Sequence, residues 1–141
     1  FEVLQERADY QALVASVRAP INLKSLARDQ HKILHLQSDL SESFTIEKAY
    51  FLYAEADGNY VIIHYLNQGR PSTKLLRMNL KHLAGQLDAD AFLRIHNSYL
   101  LHLDFPDLEL EGNAKTAHVH FKRYGIQLPV SRAMYRKLKG I

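Results

Sequence analysis

The residues in this chain that could do chemistry are donors and cations. In the stretch FLRIHNSYLL, residues 92–101, Arg94, His96 and Ser98 alternate with Ile95, Asn97 and Tyr99. In an extended backbone this places a basic and hydroxylic row on one face and a mixed row on the other. A strand that is polar on both faces is not a plain core strand. Asn is unfavourable within a strand, so Asn97 is expected to mark a break or turn that presents its amide outward. The competing reading is a solvated edge on which Asn97 merely assists a turn.

Charge indicates what such groups would meet. Residues 1–57 carry 6 basic and 9 acidic side chains, whereas residues 58–141 carry 12 basic and 6 acidic ones, so the total of +3 hides halves of −3 and +6. Residues 58–87 contain Arg70, Lys74, Arg77 and Lys81 with no acid among them, and residues 113–141 contain seven Lys or Arg and again no acid. One-signed blocks attract polyanions, nucleic acid first and anionic lipid second, although a solvated face has the same composition.

Other chemistries find little support. There is no cysteine, hence no disulfide, thiolate nucleophile or Cys-built zinc site, and the composition is compatible with the cytosol. No glycine spacing makes a dinucleotide fingerprint or phosphate loop, and neither G-x-S-x-G nor H-E-x-x-H occurs. His118 and His120 share a strand face and His31 and His35 share a face, but imidazole pairs without a carboxylate run nearby read as surface or core residues. The acids between Asp104 and Glu111 alternate with leucines and read as a strand's solvent edge, with no matching second group for acid–base catalysis. No enzyme activity, cofactor or metal is expected.

The elements that must position these groups follow from periodicity. The 141 residues make one domain plus an attached element, and no apolar run exceeds residues 49–54, far short of a membrane span. Residues 2–17 place Val3, Tyr10, Val14 and Val17 on one stripe, an amphipathic helix ended by Pro20, which suits a linker, a dimer contact or packing on its own domain. Residues 22–30 read as a helical turn or loop. From His31 the period changes to two, with a strand over 32–36, a turn at 38–43 and a second short strand from Phe44. Strands over 50–55 and 60–66 flank Ala56-Asp57-Gly58-Asn59, a strong hairpin signal. Gly69 and Pro71 close the next connection before a strand over 74–77, and Asn79 caps a helix running through Leu87. After FLRIHNSYLL come strands over 107–111, 116–121 and 126–129 with turns at Gly112-Asn113 and Tyr124-Gly125. Ser131 then caps a final helix that carries Arg132 in its first turn and Arg136 and Lys137 beyond. Because the chain opens on Phe1 rather than Met, an excised fragment is expected, with a sensor, receiver or membrane region upstream.

Four blocks, Glu55-Ala-Asp-Gly-Asn-Tyr-Val-Ile-Ile-His, Leu76-Arg-Met-Asn-Leu-Lys, Phe92-Leu-Arg-Ile-His-Asn-Ser-Tyr-Leu-Leu and Leu128-Pro-Val-Ser-Arg, resemble in order and spacing the LytTR family of bacterial DNA-binding domains over about residues 31–138. The resemblance implies a mainly β fold, an elongated arrangement of short antiparallel strands with a short helix, here preceded by an N-terminal helix. Residues 1–30 would be a linker or dimerisation helix and residues 31–141 the DNA-binding domain. It implies sequence-specific binding of double-stranded DNA by the output domain of a transcriptional regulator of the response-regulator, two-component type. Loops would enter successive major grooves, and a homodimer would occupy paired half-sites. The expected location is the cytoplasm, with tethering to the inner membrane as a variant if the upstream region is an anchor.

Residue by residue, the family's DNA-facing positions fall on Asn59 and Tyr60, on Asn97 after Arg94-Ile95-His96, and on Arg132 after Pro129-Val130-Ser131. His96, Ser98 and Ser131 flank them, while Lys74, Arg77, Lys81 and Arg136, with Lys115 and Lys137, supply cations for phosphates, and Arg94 holds either the loop or a phosphate. Many members have Arg where Asn97 stands, and Tyr60 offers a hydroxyl and a ring face where a basic or imidazole group might be expected to read a base. An RNA- or single-strand-binding module, stacking bases on Tyr50, Phe51, Tyr53, Tyr60 and Tyr65, is one alternative. A protein-interaction module driven by the first helix is the other.

Overall fold

The computed structural model describes residues 32–140, so the helix expected over 2–17 and the segment 22–30 lie outside the described residues. The period-two reading from residue 32 onward holds. Strands β1 (Ile33–Gln37) and β2 (Ser43–Glu47) form a hairpin, with Leu34, Leu36 and Ile46 on its buried face. Strands β3 (Phe51–Asp57), β4 (Tyr60–Asn67), β5 (Arg70–Arg77), β6 (Phe92–His96) and β7 (Tyr99–His102) make a five-stranded antiparallel sheet in the order β5-β4-β3-β7-β6. Strands β8 (Leu108–Gly112), β9 (Ala117–Phe121) and β10 (Ile126–Val130) make a three-stranded sheet with β9 central. Helix α1 (Leu80–Gly85) follows β5, and helix α2 (Arg132–Lys139) follows β10.

The five-stranded sheet is the middle of three layers. One face packs Ala54, Val61, Ile63, Leu76 and Leu100 against the β1–β2 hairpin and the leucines of α1. The other packs Leu52, Tyr53, Ile95 and Leu101 against Val119, Phe121 and Leu128 of the small sheet and Met134, Tyr135 and Leu138 of α2. Apolar side chains on both faces of the central sheet account for the unbroken burial of Phe51, Leu52, Tyr53 and Ala54, and a register shift between Phe51 and Tyr53 places Leu52 and Tyr53 in the same core.

Turn chemistry sets the ends of the strands. Asp57 pairs with Tyr60 around Gly58 and Asn59, and Gly58 sits at φ 60°, where a side chain is strained. Gln68 and Gly69 both have positive φ between β4 and β5, as a type I′ turn requires. The strand after this turn begins at Arg70 rather than at residue 74. Pro71 was expected to end a connection, yet it lies inside β5, which is tolerated because β5 is an edge strand with one side free of ladder bonds. Asn79 caps α1 by accepting from the His82 amide at 2.7 Å, but the helix stops at Gly85 instead of reaching Leu87. Strand β9 starts at Ala117, which leaves Thr116 in the preceding turn, and β10 extends through Val130. Among the described residues no helix is long and apolar enough to cross a membrane.

Candidate nucleic-acid interface

Three turns meet at one end of the central sheet. Strand β3 pairs with β7 through Glu55 opposite Tyr99, and the Ala56 amide donates to the Ser98 carbonyl at 2.9 Å. This sets the Gly58-Asn59 turn beside the Asn97-Ser98 turn. Arg77, at the end of β5, lies opposite Tyr60, with its guanidinium 5.8 Å from the centre of the Tyr60 ring. The Asp39 amide donates to the Arg77 carbonyl at 2.8 Å, so the β1–β2 turn is at this end too.

FLRIHNSYLL is a hairpin rather than one strand. His96 pairs with Tyr99, and the register shifts between Arg94 and His96, so Ser98 leaves the row it would share with those two in a continuous strand. Two side chains hold the turn. Arg94 Nη2 donates to the Asn97 carbonyl at 2.7 Å, and His96 Nδ1 accepts the Ser98 amide at 3.1 Å. Asn97 is exposed at the tip, and the two bonds that hold the turn leave its side-chain amide free, as expected of a residue presented outward. Arg94 therefore acts on the shape of the loop, and its charge lies beside the Asn97 backbone.

Helix α2 is fixed to the same hairpin. The Ser131 amide donates to the Ile95 carbonyl at 2.9 Å, and Ser131 Oγ caps the helix by accepting the Met134 amide at 3.3 Å. Arg132, the first helical residue, is exposed and has no ion-pair partner among the described residues. An open depression of about 360 Å³ lies between the β6–β7 turn, the β8–β9 turn and the start of α2, lined by His96, Asn97, Lys115, Thr116, Ser131 and Arg132 among others. The part of the β8–β9 turn in this lining was not legible from strand periodicity. Its only sequence signal was the Gly112-Asn113 turn followed by a basic residue.

The cations differ in what surrounds them. Lys81 and Arg136 are exposed on α1 and α2. Lys74 is bonded to Glu42 at 2.8 Å, an acid 32 residues away that a count along the chain does not pair with it. Lys122 is held above its ordinary pKa by its hydrogen bond to Glu109 and the charge of that carboxylate, 2.9 Å away. The histidine pair on β9 also has a carboxylate, contrary to expectation: Glu111 lies 3.2 Å from His118 and 3.6 Å from His120. Among the described residues no group of three or more His, Asp or Glu is placed to hold a metal ion.

The rings do not form an open stacking platform. Phe51 and Tyr53 are buried, and Tyr65 is half-buried with its ring centre 5.2 Å from that of Phe44. Only Tyr50 and Tyr60 of the five are exposed.

Comparison with known proteins bears on this arrangement. The family model of the LytTr DNA-binding domain matches residues 41–141. An uncharacterized response regulatory protein of Vibrio cholerae is 29% identical over 117 residues, covering 83% of this chain and 44% of that protein, so the chain spans less than half the length of that relative. A solved LytTr DNA-binding domain from Bacillus cereus is similar in structure, with a TM-score of 0.59 and 18% identity over 77% of this chain and 97% of that one, a likeness that concerns the fold.

Proposed function

This chain belongs to the LytTR family of DNA-binding domains, and from that premise we propose that it reads specific duplex sequences by placing loops of one sheet end in successive major grooves. The observation that carries this reading is the convergence of the β3–β4 turn, the β6–β7 turn and the first turn of α2, fixed by the Ala56–Ser98 and Ser131–Ile95 backbone bonds. Arg132 is the base reader of the set. A guanidinium at a capped helix start donates a forked pair of bonds to guanine N7 and O6. Asn97, held by Arg94 and His96, and Asn59 with Tyr60 present uncharged donors and acceptors to a base edge or phosphate. Arg77, Lys81, Arg136 and Lys137 supply the salt-dependent attraction to phosphates.

In this reading the chain is the output domain of a bacterial transcriptional regulator, acting in the cytoplasm as a dimer on two half-sites. Residues 31–141 bind DNA and residues 1–30 link the domain to an upstream sensor or receiver. Selection from a pool of random duplexes tests it. The expected result is recovery of a common motif present twice at fixed spacing; recovery of no common motif would remove sequence-specific reading.

A further inference from the structure

We propose that the depression between the β6–β7 turn, the β8–β9 turn and the start of α2 is a seat for a phosphodiester, with Lys115 as its contact to a DNA backbone phosphate. The inference rests on the DNA reading above and adds to it a fourth element, the β8–β9 turn, along with the chemical group that element holds.

The lining carries the first part of the argument. It offers the Lys115 ammonium, the Arg132 guanidinium, the Thr116 and Ser131 hydroxyls and the Asn97 amide, and it contains no carboxylate. His96 adds a donor, because a neutral ring whose Nδ1 accepts the Ser98 amide carries its proton on Nε2. A site made of donors and cations without an acid is complementary to an oxyanion.

The mount carries the second part. Asn113 Oδ1 accepts the Lys115 amide at 2.9 Å and the Thr116 amide at 3.1 Å, and the Asn113 amide donates to the Thr116 carbonyl at 3.0 Å. Gly112 sits at φ 95°, and a Cβ there would collide with the Thr116 carbonyl oxygen, so the turn closes only around glycine. Lys115 thus leaves a fixed base. It has no ion-pair partner among the described residues, whereas Lys74 and Lys122 each face a carboxylate. An open seat suits a polymer backbone crossing it.

The test uses the full chain and a duplex carrying the motif it selects from a random pool, with single phosphates replaced in turn by uncharged methylphosphonate. One replacement should weaken wild-type binding about five- to tenfold at 0.1 M salt and leave Lys115→Ala, already weakened to the same degree, unchanged. The salt slope of Lys115→Ala should be shallower by about 0.9, with equal losses on selected and random duplex. Lys115→Arg should retain binding, and Lys122→Ala should lose little. Additive losses from Lys115→Ala and methylphosphonate at every position would overturn the seat while leaving the DNA reading intact. A wild-type chain that selects no duplex would overturn both. Inorganic phosphate, followed by amide chemical shifts, should perturb Lys115 and Thr116 weakly and be displaced by duplex; tight phosphate binding that duplex does not displace would assign the seat to free phosphate and overturn the DNA backbone as its occupant.

Discussion

Replacing Arg132 by Ala separates base reading from simple charge. Arg132 is exposed at the first position of α2, and no ion pair involving it exists among the described residues. The Ser131 cap and the Ser131–Ile95 bond use other atoms and survive the change. Alanine is also at least as good a helix former as arginine. The folded state should therefore change by less than about 0.5 kcal/mol, a shift of at most about 2 °C in Tm for a domain of this size. Binding should behave differently. A forked guanidinium–guanine pair contributes roughly 1–3 kcal/mol of discrimination, or about 5- to 150-fold at room temperature. A single phosphate contact, by contrast, weakens all sequences alike. Fluorescence anisotropy at one salt concentration, on the selected duplex and on a random one, should show Arg132→Ala losing at least fivefold more on the former. Lys137→Ala, two residues before the end of α2 and without an ion pair among the described residues, should lose about equally on both. Equal losses for Arg132→Ala on both duplexes, with Tm unchanged, would refute the assignment.

Three further outcomes follow from the charges and from burial. If Arg77, Lys81, Lys115, Arg136 and Lys137 meet phosphates, log K against log salt should fall with a slope of roughly −4 to −5, and a flat dependence would mean these residues are only solvated surface. Lys74→Ala should leave that slope nearly unchanged, since Glu42 already engages the ammonium. The Tyr53 hydroxyl is pushed up to about 12 by burial, with smaller contributions from the Glu55 and Tyr99 charges. A folded pKa above the unfolded value of about 10 gives stability that is complete below pH 10 and is lost as pH rises towards 12, on the order of 2 kcal/mol. Denaturation at pH 9 and pH 11.5 should show the stability of Tyr53→Phe relative to wild type rising between the two; an unchanged difference would contradict that environment.

Local chemistry made much of the fold legible. Asp57-Gly58 could be placed as a turn because Gly58 needs positive φ there, and Asn79 and Ser131 could be placed as caps because each precedes an apolar helical stripe and its side chain can accept a free amide. Pro71 misled because a proline stops a central strand, and nothing near it in sequence reveals that β5 lies at an edge. Contacts made through space were hidden for the same reason. Glu42 reaches Lys74 only once the β1–β2 hairpin packs on the sheet, and Glu111 reaches His118 and His120 only through the β8–β9 register. The resemblance supplied Asn59, Tyr60, Asn97 and Arg132, and of the two roles open to Arg94 the structure takes the loop-holding one. The bond from the Ser98 amide to His96 was hidden, because it depends on a register shift between Arg94 and His96. Lys115 and Thr116 join the site because the small sheet is anchored to β6 by Ser131, a relation between elements that no local pattern encodes.

Competition binding tests the central claim most directly. Labelled duplex carrying the selected motif is held by the full chain, and three unlabelled competitors of equal length are added: the same duplex, a scrambled duplex, and each single strand alone. Recognition of duplex base edges by Arg132, Asn97 and Asn59 predicts that the selected duplex competes at least a hundredfold better than the other two, a low value for specific over non-specific DNA binding. Single strands that compete as well as the selected duplex would contradict the account and point to a single-strand binder.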